Sequence, residues 1–113
     1  MTYILLHNPK CSTSRAGLAL LQEQGIEPEL RLYMSEEGRL SVAELKSIAR
    51  KLKAKSPRAF LREKDAEGLS GDASDEEVYA AMADDPRLIQ RPIGLKGRKA
   101  ALGRPAERLL DIL

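Results

Sequence analysis

The single cysteine of this 113-residue chain, Cys11, lies where a thiol is easily activated. It follows a short apolar run at residues 3–6 and an Asn-Pro turn signal, and it directly precedes a predicted helix. Free backbone N–H groups and the helix dipole at such a position favour the thiolate, which is the nucleophilic form. An inert, packed cysteine is the alternative, but polar neighbours argue against it. Because the sequence has no second cysteine, redox chemistry here requires a thiol from another molecule.

Three hydroxyl residues, Ser12, Thr13 and Ser14, directly follow the cysteine. Their hydroxyl and backbone N–H groups could bind an oxyanion or cap the helix, and the two roles are compatible. Ser14 occupies the position at which a dithiol oxidoreductase has its resolving cysteine, so internal two-thiol exchange is excluded. Gly17 stands six residues after Cys11, which argues against the Cys-x₅-Arg loop of phosphatase-like enzymes.

Three arginines far apart in the sequence, Arg62, Arg91 and Arg104, form a second candidate group. Each lies near the end of a predicted element, and the last two each precede a proline. Guanidinium groups bind tetrahedral oxyanions in bidentate fashion and stay charged at all relevant pH values. Because a thiolate repels an anionic substrate, fixed positive charges would be needed beside it. A solvated surface position is the alternative for each arginine.

His7 is the one histidine and lies four residues before the cysteine. It could tune the thiolate, or it could pack in the core at the end of a strand. The residues alone favour the packed position slightly.

The elements that must position these residues follow from the apolar pattern. A strand at residues 3–6, a helix from Ser12 to a terminating Gly25 and a strand at residues 29–33 make a βαβ unit with parallel strands. Ser41 with Glu44 predicts a capping box for the next helix. The remaining predicted elements are a short helix from residue 56 with Phe60 and Leu61 inward, a helix at residues 74–84, a strand at residues 88–93, a hairpin at residues 94–103 and an amphipathic helix at residues 105–113.

This order is that of an α/β, thioredoxin-like (glutaredoxin-like) fold, with a mixed sheet of about four strands and an inserted helical segment. A cysteine after the first strand and a proline before a later strand both belong to that layout. By analogy with the layout, Pro92 is expected to be cis and to face Cys11.

Length and composition predict one domain, residues 1–113, of an ordinary globular type. The net charge of +2 is too small to indicate nucleic-acid binding. No signal-peptide core or membrane span is visible, and a lone cysteine fits a reducing compartment, so the expected location is the cytoplasm. We expect a monomer with no bound cofactor and no metal site.

With these residues assembled, the chain closely resembles the ArsC family of glutaredoxin-linked arsenate reductases. The similarity begins at residues 7–15 (HNPKCSTSR), which end at Arg15, and it extends over nearly the whole chain. The further matching segments are residues 57–62 (PRAFLR), 88–93 (LIQRPI), 102–105 (LGRP) and 109–113 (LLDIL).

The resemblance implies that Cys11 is the nucleophile and that His7 helps to lower its pKa. It also implies that Arg62, Arg91 and Arg104 bind arsenate. In the implied reaction the Cys11 thiolate attacks arsenic(V), glutathione adds to the adduct, glutaredoxin reduces the mixed species, and arsenite leaves. Glutathione is then a co-substrate and glutaredoxin a protein partner.

Two other functions stay open at this point. One is a glutathione-dependent reductase of small disulfides or glutathionylated proteins, which would need less positive charge at its site. The other is a redox-responsive regulator that resembles the polymerase-binding branch of the superfamily. Such regulators usually sense through a Cys-x-x-Cys pair, and Ser14 stands in place of the second cysteine.

Overall fold

The computed structural model describes residues 2–113, and within them four strands form one sheet. The strands are β1 Tyr3–Leu6, β2 Glu29–Arg31, β3 Ile93–Lys96 and β4 Lys99–Leu102, in the spatial order β2-β1-β3-β4. β1 and β2 run parallel, whereas β3 is antiparallel to both β1 and β4. This mixed sheet, with helices inserted between β2 and β3, confirms the predicted thioredoxin-like fold.

The described residues contain three α-helices and four 3₁₀ segments. The α-helices are α1 Ser12–Glu23, α2 Val42–Leu52 and α3 Asp75–Asp84, and the 3₁₀ segments are Pro57–Phe60, Glu63–Asp65, Pro86–Leu88 and Ala106–Ile112. Across residues 2–113 no helix has both the length and the apolar character that crossing a membrane requires.

Helix α1 starts and stops where the sequence predicts. Gly25 adopts φ +80° directly after the helix, a conformation that glycine reaches without a steric penalty. The N–H groups of Gly25 and Ile26 donate to the carbonyls of Gln22 and Leu21, which completes the helix C-terminus. Because α1 joins parallel strands, the ends of β1 and β2 lie at the same edge of the sheet.

Capping boxes begin the other two α-helices. The Ser41 hydroxyl accepts from the Glu44 N–H at 3.1 Å, and Ser41 N–H donates back to the Glu44 carboxylate at 3.1 Å. Ser74 and Glu77 repeat the arrangement in front of α3. Each box satisfies N–H groups that would otherwise lack partners, a contribution of about 1 kcal/mol per cap.

Side-chain alternation along β1 divides the core between the two faces of the sheet. Tyr3 and Leu5 pack with α1 and the C-terminal 3₁₀ segment, whereas Leu6 packs with α2 and α3. Phe60 and Leu61 are buried in the second cluster, as predicted. The sheet is therefore covered on both faces, and its strand ends remain available for the polar residues that follow them.

The predicted strand at residues 88–93 is wrong in its position. Residues Pro86–Leu88 form a 3₁₀ turn, a single bridge joins Ile89 to Leu61, and the strand begins only at Ile93. Pro92 has no N–H to donate to a ladder, so regular pairing cannot start before it. The predicted hairpin lies at β3 and β4 and turns at Gly97, which has φ +60°.

Two other predicted elements differ in extent or type. The strand predicted at residues 29–33 stops at Arg31, because the chain then turns inward and buries Tyr33 completely. The predicted C-terminal amphipathic helix is a 3₁₀ segment at Ala106–Ile112. Its buried residues, Leu109 and Ile112, are three apart, which matches the three-residue period of a 3₁₀ helix.

The Arg91–Pro92 peptide bond is cis, as predicted, and so is Arg104–Pro105, which was not predicted. The Pro92 ring packs closely against α1 and the end of β4. A Cβ atom added to Gly17 or to Gly103 would lie 2.9 or 2.8 Å from the Pro92 Cγ atom. These glycines therefore allow the segment after Arg91 to approach the first turns of α1. That Pro92 faces Cys11 stays a prediction.

Candidate active site

Cys11 is the N-cap residue of α1 and is half-buried. A turn held by Asn8 delivers it there: the Cys11 N–H donates to the Asn8 carbonyl at 3.0 Å, and the Lys10 N–H donates to the Asn8 side-chain oxygen at 3.1 Å. The thiol makes no capping hydrogen bond of the usual kind. The structure thus places the sulfur at the positive end of the 12-residue helix, as the sequence predicts.

The surroundings of the sulfur lower the pKa of the Cys11 thiol from its ordinary 9.0 to about 7. Burial by itself raises the pKa, but several interactions act against it. The backbone N–H of Ser14, the Arg91 side chain and the backbone N–H of Thr13 each lower the pKa by hydrogen bonding, and the Arg91 charge lowers it further. At pH 7 roughly half of the thiol is therefore thiolate, against roughly 1% at the ordinary pKa.

We expect this pKa to be visible as a titration of thiol reactivity. The rate of Cys11 alkylation by iodoacetamide should rise with pH through a midpoint near 7, because only the thiolate reacts. Since Cys11 is the only thiol in the sequence, bulk kinetics report on it without interference. A midpoint at 8.5 or above would contradict the assignment of Arg91 and the α1 N-terminus as stabilising groups.

His7 and Ser14 form a buried pair beneath the cysteine turn. The His7 Nδ1 atom lies 2.7 Å from the Ser14 hydroxyl, which also accepts from the Asn8 N–H at 3.0 Å. Because Ser14 accepts from Asn8, its own proton is available to donate to a neutral His7. Burial and then the Arg15 charge lower the His7 pKa, which favours that neutral form.

His7 therefore supports the site through structure, as the residues alone slightly favoured. The largest contributions to the Cys11 pKa come from burial, Ser14, Arg91 and Thr13, and His7 is not among them. The Ser14 hydroxyl is occupied by its two interior contacts, whereas its backbone N–H faces the sulfur. Of the two Ser14 groups that were expected to bind an anion, only the backbone N–H is therefore free to do so.

The other residues of the turn lie at the surface. Ser12 is exposed and Thr13 is half-buried. The Arg15 guanidinium donates to the Pro9 carbonyl at 2.9 Å and braces the turn from outside. The charge of Arg15 also lowers the pKa of His7, so Arg15 influences the site indirectly, through residues of the turn.

The structure brings Arg91 beside the thiol and ties Arg104 to the Arg91 backbone. Arg91 is only 9% exposed, and its Nε atom has no hydrogen-bond partner within residues 2–113. The Arg104 Nε donates to the Arg91 carbonyl at 3.0 Å, which ties the two segments to each other. A buried guanidinium with an unused donor is costly, and an anionic ligand would satisfy it.

Arg62 belongs to the same region, since its charge acts on Tyr33 together with those of Arg91 and Arg104. The backbone N–H of Arg62 donates to the Leu88 carbonyl at 2.7 Å, and its side-chain Nε lies 3.0 Å from the Asp65 carboxylate. The Arg62 Nη1 atom is buried and has no partner in the described part of the chain. Arg62 and Arg104 line one cavity. The charges of all three arginines act on the buried Tyr33 hydroxyl, although the first and the last are distant in the sequence.

Tyr33 belongs to this group and was missed in the sequence. It is completely buried, and its hydroxyl has no partner among residues 2–113. Burial raises the Tyr33 pKa to about 12; the Arg91 charge opposes this rise, and the Cys11 charge adds to it. Tyr33 therefore lies within electrostatic reach of the thiol. Its position at the end of the strand predicted at residues 29–33 is the available signal, because the two parallel strands of a βαβ unit end at the same sheet edge.

Gln90, next to Arg91, was also missed. It was assigned to a strand at residues 88–93, whereas the structure places it in the wall of the cavity with Arg62 and Arg104. Its side-chain oxygen is buried without a partner in residues 2–113. A polar side chain directly before Arg91, within a strand predicted from its apolar residues, is the signal that could have found it.

Comparison with known proteins agrees with this arrangement. The model of the ArsC family matches residues 6–112. An arsenate reductase of Haemophilus influenzae is 43% identical, with complete coverage of both chains. A protein described as an arsenate reductase from Neisseria meningitidis serogroup A is also 43% identical, over 96% of each chain.

A solved structure gives the same result in three dimensions. The arsenate reductase from Vibrio cholerae superposes with a TM-score of 0.89 at 42% identity, covering 100% of this chain and 98% of that one. The match to the family model contains the cysteine turn, the three arginines and strands β2, β3 and β4. The chain therefore belongs to the ArsC family.

Proposed function

We propose that this protein is an arsenate reductase that uses Cys11 as its nucleophile. The observation that carries the proposal is a thiol with a pKa of about 7 beside the buried Arg91 guanidinium, whose Nε atom has no hydrogen-bond partner within residues 2–113. A tetrahedral oxyanion would meet both needs, since its oxygens accept from the arginines while its central atom faces the sulfur. The arsenate reductase names of relatives at 43% identity over the whole chain support the same substrate.

The first step is attack of the Cys11 thiolate on arsenic(V). A sulfur–arsenic bond forms, an arsenic–oxygen bond breaks, and the departing oxygen leaves as water after protonation. Arg62, Arg91 and Arg104 hold the remaining oxygens and offset the repulsion between thiolate and anion. The N–H groups of Ser14 and Thr13 stabilise the thiolate until it reacts.

The reduction itself needs two electrons from outside the chain. Glutathione displaces a second oxygen as water and forms its own sulfur–arsenic bond. A glutaredoxin thiolate then attacks the glutathione sulfur, and the electron pair of that bond passes to arsenic, which becomes arsenic(III). The products of this step are a glutaredoxin–glutathione disulfide and a Cys11–arsenic(III) species. Cleavage of the latter by water releases arsenite and restores the thiol.

The single cysteine of the sequence is the reason for proposing an external thiol donor. A mechanism that closes an internal disulfide requires a second thiol in the same chain. Ser14, at the resolving position, is occupied with His7 and Asn8. Glutathione with glutaredoxin supplies both thiols of the proposed sequence, one to bind arsenic and one to remove the oxidised sulfur.

The donor is tested by measuring arsenate-dependent NADPH oxidation with two reducing systems. One contains glutathione, glutaredoxin and glutathione reductase, and the other contains thioredoxin and thioredoxin reductase. We expect a rate only in the first, and we expect it to disappear when either glutathione or glutaredoxin is left out. A full rate with thioredoxin alone would keep the reductase activity but overturn the proposed donor. No rate in either system would overturn the activity.

A further inference from the structure

The cavity lined by Arg62 and Arg104 combines hydrogen-bond donors with acceptors, of which the Gln90 amide oxygen is the uncharged one. It has a volume of about 290 Å³, and its lining residues are Arg62, Glu63, Lys64, Gln90 and Arg104. The Gln90 side-chain oxygen is buried and lacks a partner in the described part of the chain. The same holds for the Arg62 Nη1 and Arg91 Nε atoms.

The backbone fixes Gln90 next to the arginines. The Gln90 N–H donates to the Phe60 carbonyl at 2.9 Å, and the Arg62 N–H donates to the Leu88 carbonyl at 2.7 Å. These two bonds lie on either side of the Leu61–Ile89 bridge. Gln90 and Arg62 therefore lie diagonally across the bridge and line the same wall, and the two backbone bonds hold the main chain at both residues.

Guanidinium groups only donate hydrogen bonds, whereas a glutamine oxygen only accepts them. With Arg62 and Arg104 in the same wall, the amide oxygen is favoured over the amide nitrogen at the buried position, since the nitrogen would present positive hydrogens to positive groups. An oxyanion without protons has nothing to donate to this oxygen. Such an ion would leave the buried acceptor unsatisfied, whereas a protonated oxyanion would gain a hydrogen bond to it.

We propose that Gln90 accepts a hydrogen bond from a protonated oxygen of the bound oxyanion, so that the site selects tetrahedral oxyanions that keep a proton at neutral pH. Arsenate and phosphate keep at least one proton under these conditions, and sulfate keeps none. The inference rests on the proposed function, since it specifies the substrate class of the same site. Charge cannot produce this preference, because sulfate is at least as negative as phosphate at pH 7.

The test measures binding without turnover. Phosphate and sulfate are titrated separately as protectants of Cys11 against alkylation at pH 7 and constant ionic strength. We expect wild-type protein to be protected by phosphate at an at least tenfold lower concentration than by sulfate, as for a hydrogen bond between a buried polar group and an ion. In Gln90→Leu, the ratio of the two concentrations should fall to near one.

Gln22→Leu is the matched control, because Gln22 is exposed on α1 and the same atoms are exchanged. It should keep the wild-type ratio. Gln90→Met, which retains the length of the side chain, repeats the measurement if the leucine variant unfolds. Equal protection by the two anions in wild type, a preference for sulfate, or an unchanged preference in both Gln90 variants would overturn the inference.

The remaining outcomes separate this inference from the proposed function. Protection by neither anion in wild type would overturn both, because no oxyanion site would exist beside the thiol. A Gln90-dependent preference for phosphate, together with no arsenate-dependent NADPH oxidation, would support the inference and remove the reductase activity.

Discussion

Replacing Cys11 with serine is expected to reduce arsenate-dependent NADPH oxidation to the rate of the protein-free mixture, a loss of at least about 10³-fold. A serine hydroxyl is not ionised near pH 7, so it cannot replace a thiol whose pKa is about 7. It also forms no sulfur–arsenic bond, and the later thiol exchange then has no starting point. Steady-state kinetics in the glutathione and glutaredoxin system measure this loss.

The variant should fold normally, which makes the result interpretable. Cys11 is half-buried at the N-cap of α1, and serine is a favourable N-cap residue. We therefore expect the melting temperature of Cys11→Ser to equal or exceed that of the wild type. Phosphate should still bind to the variant, because the three arginines are intact. Substantial turnover by a folded Cys11→Ser protein would remove Cys11 from the mechanism.

Replacing Arg91 with alanine should produce the second-largest effect, a decrease of about 10²–10³-fold in kcat/KM for arsenate. Two losses combine in this variant. The Cys11 pKa should rise from about 7 towards 9.0, because the Arg91 side chain and charge are among the groups that lower it. The oxyanion also loses a buried guanidinium. The alkylation titration and the arsenate kinetics, measured on the same preparation, separate the two losses.

Arg98→Ala is the control for the change in net charge. Arg98 is exposed in the β3–β4 turn, at the end of β3 remote from Arg91, so its removal should change neither the thiol titration nor the kinetics. Arg91→Lys keeps the charge but removes the planar, forked donor. In this variant the Cys11 pKa should return close to its wild-type value, whereas arsenate turnover should recover less. Unaltered kcat/KM in a folded Arg91→Ala protein would rule out the oxyanion role.

The Arg91 variants also distinguish a reductase of oxyanions from a reductase of disulfides. A small disulfide is not held by three guanidinium groups, so its reduction at pH values where Cys11 is fully ionised should change much less in Arg91→Ala. Equal losses for arsenate and for a disulfide substrate would indicate that Arg91 acts through the thiol alone.

Local patterns in the sequence predicted those parts of the fold that depend on neighbouring residues. The start of α1 at Cys11, its end at Gly25 and the capping box of Ser41 with Glu44 are interactions within a few residues, and the structure confirms them. The strand at residues 88–93 failed for the converse reason. Pairing depends on which chain lies opposite, and Pro92 blocks the ladder that the apolar pattern alone favours.

The sequence by itself determined the chemistry that this chain can perform: one thiol at a helix start, no internal partner for it, and arginines sufficient to hold an anion. Only the tertiary structure decided that Arg62, Arg91 and Arg104 converge, and that Tyr33 and Gln90 join them. The physical reason is one of range. Capping and thiol activation act over a few bonded residues, whereas an ion site depends on buried groups that packing brings together from distant segments, and their unsatisfied donors and acceptors become visible only in the folded chain.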